Sequence, residues 1–186
     1  MKRQAAMGDK VLILPGYGNS GPGHWQSLWQ AAGPAFQRVE QRDWEHPVCA
    51  EWVAALEEAV AEAGDDCVLV AHSLACLLVA HWAAQTRQLV RAALLVAVPD
   101  PSGPAFPSDA SGFAPVPLMP LPFPSLVVAS RDDPYGSLDF SRSCAGAWGS
   151  RWVDIGPAGH INGDSGLGDW PEGKRLLESL TEAAHA

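Results

Sequence analysis

Long basic runs are missing from this 186-residue chain: no stretch of Lys or Arg exceeds two residues, and 12 basic against 21 acidic side chains leave a net charge of −9. A nucleic-acid backbone needs a positive patch, so nucleic acid is not an expected partner. The acidic balance suits a soluble protein instead. Cysteine is scarce: Cys49, Cys67, Cys76 and Cys144 form no C-x-x-C pair and no metal-ligand spacing. Their simplest reading is free thiols in a reducing cytoplasm, with neither metal nor cofactor required. Residues 1–9 lack an apolar h-region, which argues against secretion, and are expected to form a flexible lead-in to one domain over 10–186. No internal repeat is present. Val68–Ala84 approaches the length of a membrane span, but it carries His72, Ser73 and His81 and divides into a strand and a helix, so no membrane partner is expected.

What the chain does have is a strand joined to a helix without a linker. Cys67–Ala71 is a short apolar, largely β-branched run, and Ala75–Gln85 is rich in the strong helix formers Ala and Leu. Between them stand only His72, Ser73 and Leu74. Such a junction must turn sharply and push the side chain at the turn out beyond the sheet edge. Small residues must flank it, and Ala71 and Ala75 do so. The pattern is a nucleophile elbow with Ala in place of the two glycines of G-x-S-x-G. The bland alternative is a serine that merely caps a helix.

The rest alternates strand and helix. Strands are expected at Lys10–Leu14, Gln37–Arg42, Ala92–Val98, Ser125–Ala129 and Arg151–Ile155. Helices are expected from His24, with Trp25, Leu28, Trp29 and Ala32 as a buried stripe, and over Val48–Ala63, Leu138–Trp148 and Glu172–Ala184. That rhythm predicts a mostly parallel sheet with helices on both faces, and in such sheets ligands bind beyond the carboxyl ends of the strands. Pro99–Pro124 breaks it with nine of the chain's 16 prolines among large apolar residues. No helix or central strand survives that density of proline. The segment reads as part surface connection and part stiff apolar wall beside the site.

Chemistry gathers at the strand ends. Serine needs a base, and the base needs an anion to fix its tautomer. After Ser73, the strand ending at Ala129 leads into Asp132 and Asp133, and the last strand leads to His160. Ser, then Asp, then His is the α/β-hydrolase order rather than either protease order.

Several stretches together resemble the small serine α/β-hydrolases of the retinoblastoma-binding protein 9-like family. They are Leu12-Ile13-Leu14-Pro15-Gly16-Tyr17, His24-Trp25, Ala71-His72-Ser73, Ser130-Arg131-Asp132-Asp133-Pro134 and Gly159-His160-Ile161-Asn162. The run Gly159–Gly173 is similar to bacterial members in particular. The resemblance implies an α/β-hydrolase fold without an inserted cap domain, and a triad of Ser73, Asp133 and His160. The hydrolase pattern further implies an oxyanion hole from the Tyr17 and Leu74 amides. The implied reaction is hydrolysis of an ester or related acyl bond in a small molecule. Pro47-Val48-Cys49-Ala50-Glu51 fails the Leu-x-Cys-x-Glu pocket-protein motif at its first position, so a retinoblastoma-type partner is not supported.

Two other readings compete. Gly16-Tyr17-Gly18-Asn19-Ser20-Gly21 also fits G-x-G-x-x-G after a strand, with Glu40 near the place of a ribose-binding acid, as in a dinucleotide-binding domain. That reading leaves Ser73, Asp133 and His160 unexplained. A non-catalytic binding protein on the same fold is the other. Ser165 is expected in the loop after the base, His24 at a helix cap or the surface, and His72 turned away from the site. His46, His81 and His185 show no ligand spacing.

Overall fold

The computed structural model describes residues 10–184. Residues 1–9 and 185–186 lie outside it, as do the expectations attached to them. Six strands form one sheet: β1 (Val11–Leu14), β2 (Phe36–Arg38), β3 (Val68–His72), β4 (Ala92–Val96), β5 (Ser125–Ala129) and β6 (Arg151–Asp154). Their order is β2-β1-β3-β4-β5-β6, and every neighbouring pair is parallel. The helices are α1 (Trp25–Ala31), α2 (Cys49–Ala63), α3 (Leu74–Ala83), α4 (Leu138–Trp148) and α5 (Pro171–Ala183).

Alternation along each strand divides the core in two. Leu12, Leu14, Leu69, Ala71, Ala93, Leu95 and Val127 face α2, α3 and α4. Val11, Ile13, Val68, Val70, Leu94, Val96 and Val128 face α1 and α5. Both faces are covered, which is why β3, β4 and β5 are apolar at nearly every position instead of alternating with polar residues. The chain winds from β1 to β2 on one side and returns as β3 on the other. The topological reversal therefore lies at the carboxyl ends of β1 and β3, where such sheets open a crevice.

Several element ends differ from the expected ones, α3 closing at Ala83 instead of Gln85 and β6 at Asp154 instead of Ile155 among them, and the departures at β2, α1 and β4 have clear causes. β2 is shorter than Gln37–Arg42 and begins one residue earlier. As an edge strand it pairs only with β1, and the chain leaves the sheet once Val39 N–H has bonded Ile13 O. The α1 stripe is cut short because the helix closes at Ala31. Trp25 and Trp29 are buried, whereas Ala32 is the exposed C-cap. β4 stops at Val96, where Ala97 takes a positive φ.

The connection Pro99–Pro124 holds no helix and no named strand, and it is pinned along its length. Ser111 bonds the chain at the start of α2 through Cys49 N–H and Pro47 O, both at 2.9 Å. His81 Nε2 donates to Phe113 O at 2.9 Å, and Trp148 Nε1 donates to Pro117 O at 2.8 Å. Phe113 and Phe123 are buried in the core against α2 and α3. At the root of the connection, a Cβ on Gly136 would lie 2.1 Å from Val98 O, so this end is locked onto the turn after β5.

Candidate active site

Ser73 sits between β3 and α3 with φ 56° and ψ −123°, a backbone conformation that L-residues rarely adopt. Its side chain makes no cap hydrogen bond, so it is not a helix cap in the ordinary sense. Its N–H is tied to Val96 O at 2.8 Å, and Ala71 and Ala75 are fully buried on either side. The loop after β1 approaches from above. A Cβ on Gly16 would meet His72 O at 2.9 Å and Leu74 N at 3.3 Å, so only glycine brings Tyr17 so near the turn. Leu74 N–H is the first amide of α3 and has no intrahelical acceptor.

The His160 ring is held at both nitrogens. Nε2 lies 2.7 Å from Ser73 Oγ and Nδ1 lies 2.8 Å from Asp133 Oδ1. An ionised carboxylate only accepts, so Nδ1 carries the proton and Nε2 presents its lone pair to the serine hydroxyl. The Asp133 side chain is 3% exposed and that of His160 10%. Asp133 Oδ1 also accepts from Tyr135 N–H at 2.9 Å, and the Tyr135 ring lies 4.3 Å from the His160 ring. Asp132 points elsewhere. Its Oδ1 accepts from Gly159 N–H at 2.8 Å and Ser130 Oγ at 3.0 Å, and the Gly159 amide first of all draws its carboxyl below the usual range. Arg131 pairs with Asp154 at 2.8 Å and not with Asp132. Ser165 closes a capping box with Asn162 in the loop beyond His160, as expected of it.

Two further histidines stand behind the site. His72 turns its ring away from Ser73, and its Nε2–H donates to the backbone oxygen of His160 at 2.9 Å. Burial drives its pKa well below the ordinary value, so it is neutral. His24 caps α1 by accepting Gln26 N–H at 3.1 Å on Nδ1, and its edge meets the His72 ring at 4.7 Å. It is buried rather than at the surface. Burial first, then Arg38 and His160, lower its pKa to about 4. Its Nε2–H is enclosed without an acceptor among the described residues.

Gln26 was missing from the sequence reading. Fully buried, it donates to Leu14 O and Val70 O, both at 3.1 Å, and accepts from Ser20 Oγ at 2.7 Å. It thereby ties the end of β1 and the middle of β3 to the glycine loop. A glutamine inside a tryptophan-rich helix carries no periodic signal, so only the fold reveals it.

A cleft of about 500 Å³ opens over Ser73. Tyr17, Pro22, Pro99, Phe106, Pro107 and Tyr135 make its walls largely apolar, so the Pro-rich connection contributes one side. Asn162 and Asp164 lie at its polar side. The glycine loop does not open a helix as a dinucleotide fingerprint would: α1 starts at Trp25, beyond Gly21-Pro22-Gly23. Among the described residues no group of three or more His, Cys, Asp or Glu is placed to hold a metal ion. No described helix is long and apolar enough to cross a membrane.

A doubly covered parallel sheet with a strained serine at the turn after a central strand defines an α/β-hydrolase. The match extends to a particular family. A family model described as serine hydrolase matches residues 11–179, and the chain belongs to that family. It is similar to a YdeN-like hydrolase from Pectobacterium atrosepticum, with 30% identity and a TM-score of 0.83 over 95% of this chain and 92% of that one. The ydeN gene product of Bacillus subtilis shares 20% identity, with a TM-score of 0.71 over 94% and 99% of the two chains. A thermophilic esterase from Thermogutta terrifontis shares 17%, with a TM-score of 0.67 over 96% and 91%, which is a likeness of fold alone. No curated protein matches the chain.

Proposed function

We propose that the protein hydrolyses an ester or related acyl bond of a small molecule through a covalent acyl-enzyme on Ser73. The observation that carries this reading is the unbroken chain from Asp133 through His160 to Ser73, at 2.8 and 2.7 Å. His160 Nε2 takes the hydroxyl proton as Ser73 Oγ attacks the acyl carbon, and Asp133 holds the resulting imidazolium. The tetrahedral oxyanion accepts from the Tyr17 and Leu74 amides, each such donor being worth about 3–4 kcal/mol in the transition state. Collapse expels the alcohol, protonated by His160. Water, deprotonated by the same imidazole, then attacks the ester on Ser73 and releases the acid.

Within the serine hydrolases we place the chain on the retinoblastoma-binding protein 9-like branch, on its Ala71-His72-Ser73, Ser130–Pro134 and Gly159–Asn162 motifs. We read it as one α/β-hydrolase domain with a small-molecule partner. Its free, buried cysteines support a reducing compartment, the cytoplasm, as its setting. A fluorophosphonate probe tests the assignment. It should modify Ser73 alone, and Ser73→Ala should abolish labelling while circular dichroism shows the fold intact. Labelling at Ser165 in the folded protein would overturn the choice of nucleophile.

A further inference from the structure

We infer that Arg38, on the edge strand β2, is a positioning residue for the oxyanion loop, acting through Asn19. The inference rests on the role proposed above for the Tyr17 amide. Tyr17 and Gly18 are the middle residues of a turn closed by Asn19 N–H to Gly16 O at 3.1 Å. Both are exposed, Gly18 and Asn19 both have positive φ, and only Gly16 packs on the elbow. Such a turn is conformationally permissive. An oxyanion donor tolerates little freedom, since about 1 Å of misplacement costs roughly 10²-fold in rate.

The turn is fixed from outside. Gly18 N–H donates to Trp44 O at 2.8 Å. A second anchor is the Asn19 side chain, whose Oδ1 accepts from Ser20 N–H at 2.8 Å and from Arg38 Nη1 at 2.7 Å. Arg38 grips the rest of the loop as well. Nη1 donates to Ser20 O at 3.0 Å, Nη2 to Ser27 Oγ at 2.6 Å, and Nε to Gln30 Oε1 at 2.8 Å. One planar guanidinium thus binds the loop at Asn19 and Ser20 and the helix behind it at Ser27 and Gln30. A lysine, with a single ammonium, cannot hold these directions at once. The β1–β2 pairing delivers the guanidinium, because Arg38 is in register with Ile13, next to the strand end from which the loop leaves.

The test is a double-mutant cycle on a short-chain ester, with Arg38→Gln, Asn19→Gly and the pair. Glycine suits the φ of 67° at Asn19, so Asn19→Gly removes the anchoring oxygen without adding strain. Each single variant should lower kcat by about 10- to 100-fold with KM nearly unchanged, because the loss falls on the transition state. The pair should be no slower than the worse single variant, since both act along one path. Arg38→Lys should not restore the rate. A folded Arg38→Gln enzyme with wild-type kcat, or losses that simply multiply in the pair, overturns the inference. So does a lowered Tm with kcat unchanged at low temperature, which is the signature of bracing alone. If Arg38→Gln fails to fold, Asn19→Gly decides by itself, and wild-type kcat there is equally fatal. Ser73→Ala, assayed in parallel, separates the two ideas: if Ser73 is indispensable and the loop variants are fast, only the positioning role fails.

Discussion

Two adjacent aspartates after β5 have separate tasks in the structure. Asp133 meets the His160 ring, whereas Asp132 holds the backbone of the loop that delivers it. Asp133→Asn should cost about 10⁴ in kcat, the loss seen when a triad carboxylate becomes an amide that no longer fixes the tautomer. Asp132→Asn keeps an acceptor oxygen for Gly159 N–H and should cost far less. Measured kcat values in the reverse order would reassign the acid. The neutral histidines carry a second consequence. His24, lowered to about 4 chiefly by burial, and His72, lowered well below its ordinary value by burial, stay unprotonated in the folded chain. Unfolded, both protonate near pH 6.5. Stability from these groups is therefore complete above about pH 6.5 and falls as pH drops below it, for His24 down to about 4, by up to about 1.4 kcal/mol per pH unit for each. Urea midpoints between about pH 7 and 5 should decline accordingly. His24→Asn, which preserves the α1 cap, should make the decline shallower; an unchanged slope would contradict the linkage.

At the scale of elements, the Pro-rich connection has two jobs that composition alone does not separate. Phe106 lines the cleft, while Phe113 and Phe123 fill the core beside α2 and α3. Phe106→Ala should change the dependence of kcat/KM on acyl length from two to twelve carbons, with little loss of stability. Phe113→Ala should leave that profile alone and cost about 3–5 kcal/mol, as for other buried phenylalanines. A changed profile in Phe113→Ala together with none in Phe106→Ala would reverse the assignment. The sequence was most legible where local chemistry and packing agree. β5 and α4 begin and end at the expected residues, because apolar runs stop abruptly at Pro124 and Ser130 and a Ser137 cap opens α4. That Ser73, the Asp132-Asp133 pair and His160 gather at one sheet edge was legible for a similar reason, as each follows a recognisable strand; Asp133 in particular was implied by the family resemblance. Spacing does not choose between Asp132 and Asp133, since both lie in the turn after β5 and only the folded turn sends one carboxylate to His160 and the other to Gly159 N–H. The braces at Gln26 and Arg38 left no mark in the linear pattern either. Their partners depend on which strands become neighbours.

For the whole molecule, the doubly covered sheet leaves no cysteine thiol at the surface. Cys49, Cys67, Cys76 and Cys144 are free and buried. Burial raises the thiols of Cys49, Cys67 and Cys144 to about 11 and that of Cys76 well above its ordinary value, so thiolate is scarce as well as enclosed. A thiol reagent should modify none of them while the protein is folded and all of them in denaturant; rapid modification of any one in the native state would contradict the burial. The strand order has a consequence in time. Every sheet pairing is parallel, so no two neighbouring strands can close as a hairpin, and folding must wait for distant segments. The groups proposed for catalysis come from the loops after β1, β3, β5 and β6. During synthesis from the amino end, Ser73 leaves the ribosome long before His160. On the proposed mechanism, a nascent chain therefore carries an unactivated serine, and its chemistry begins only when the sixth strand has docked.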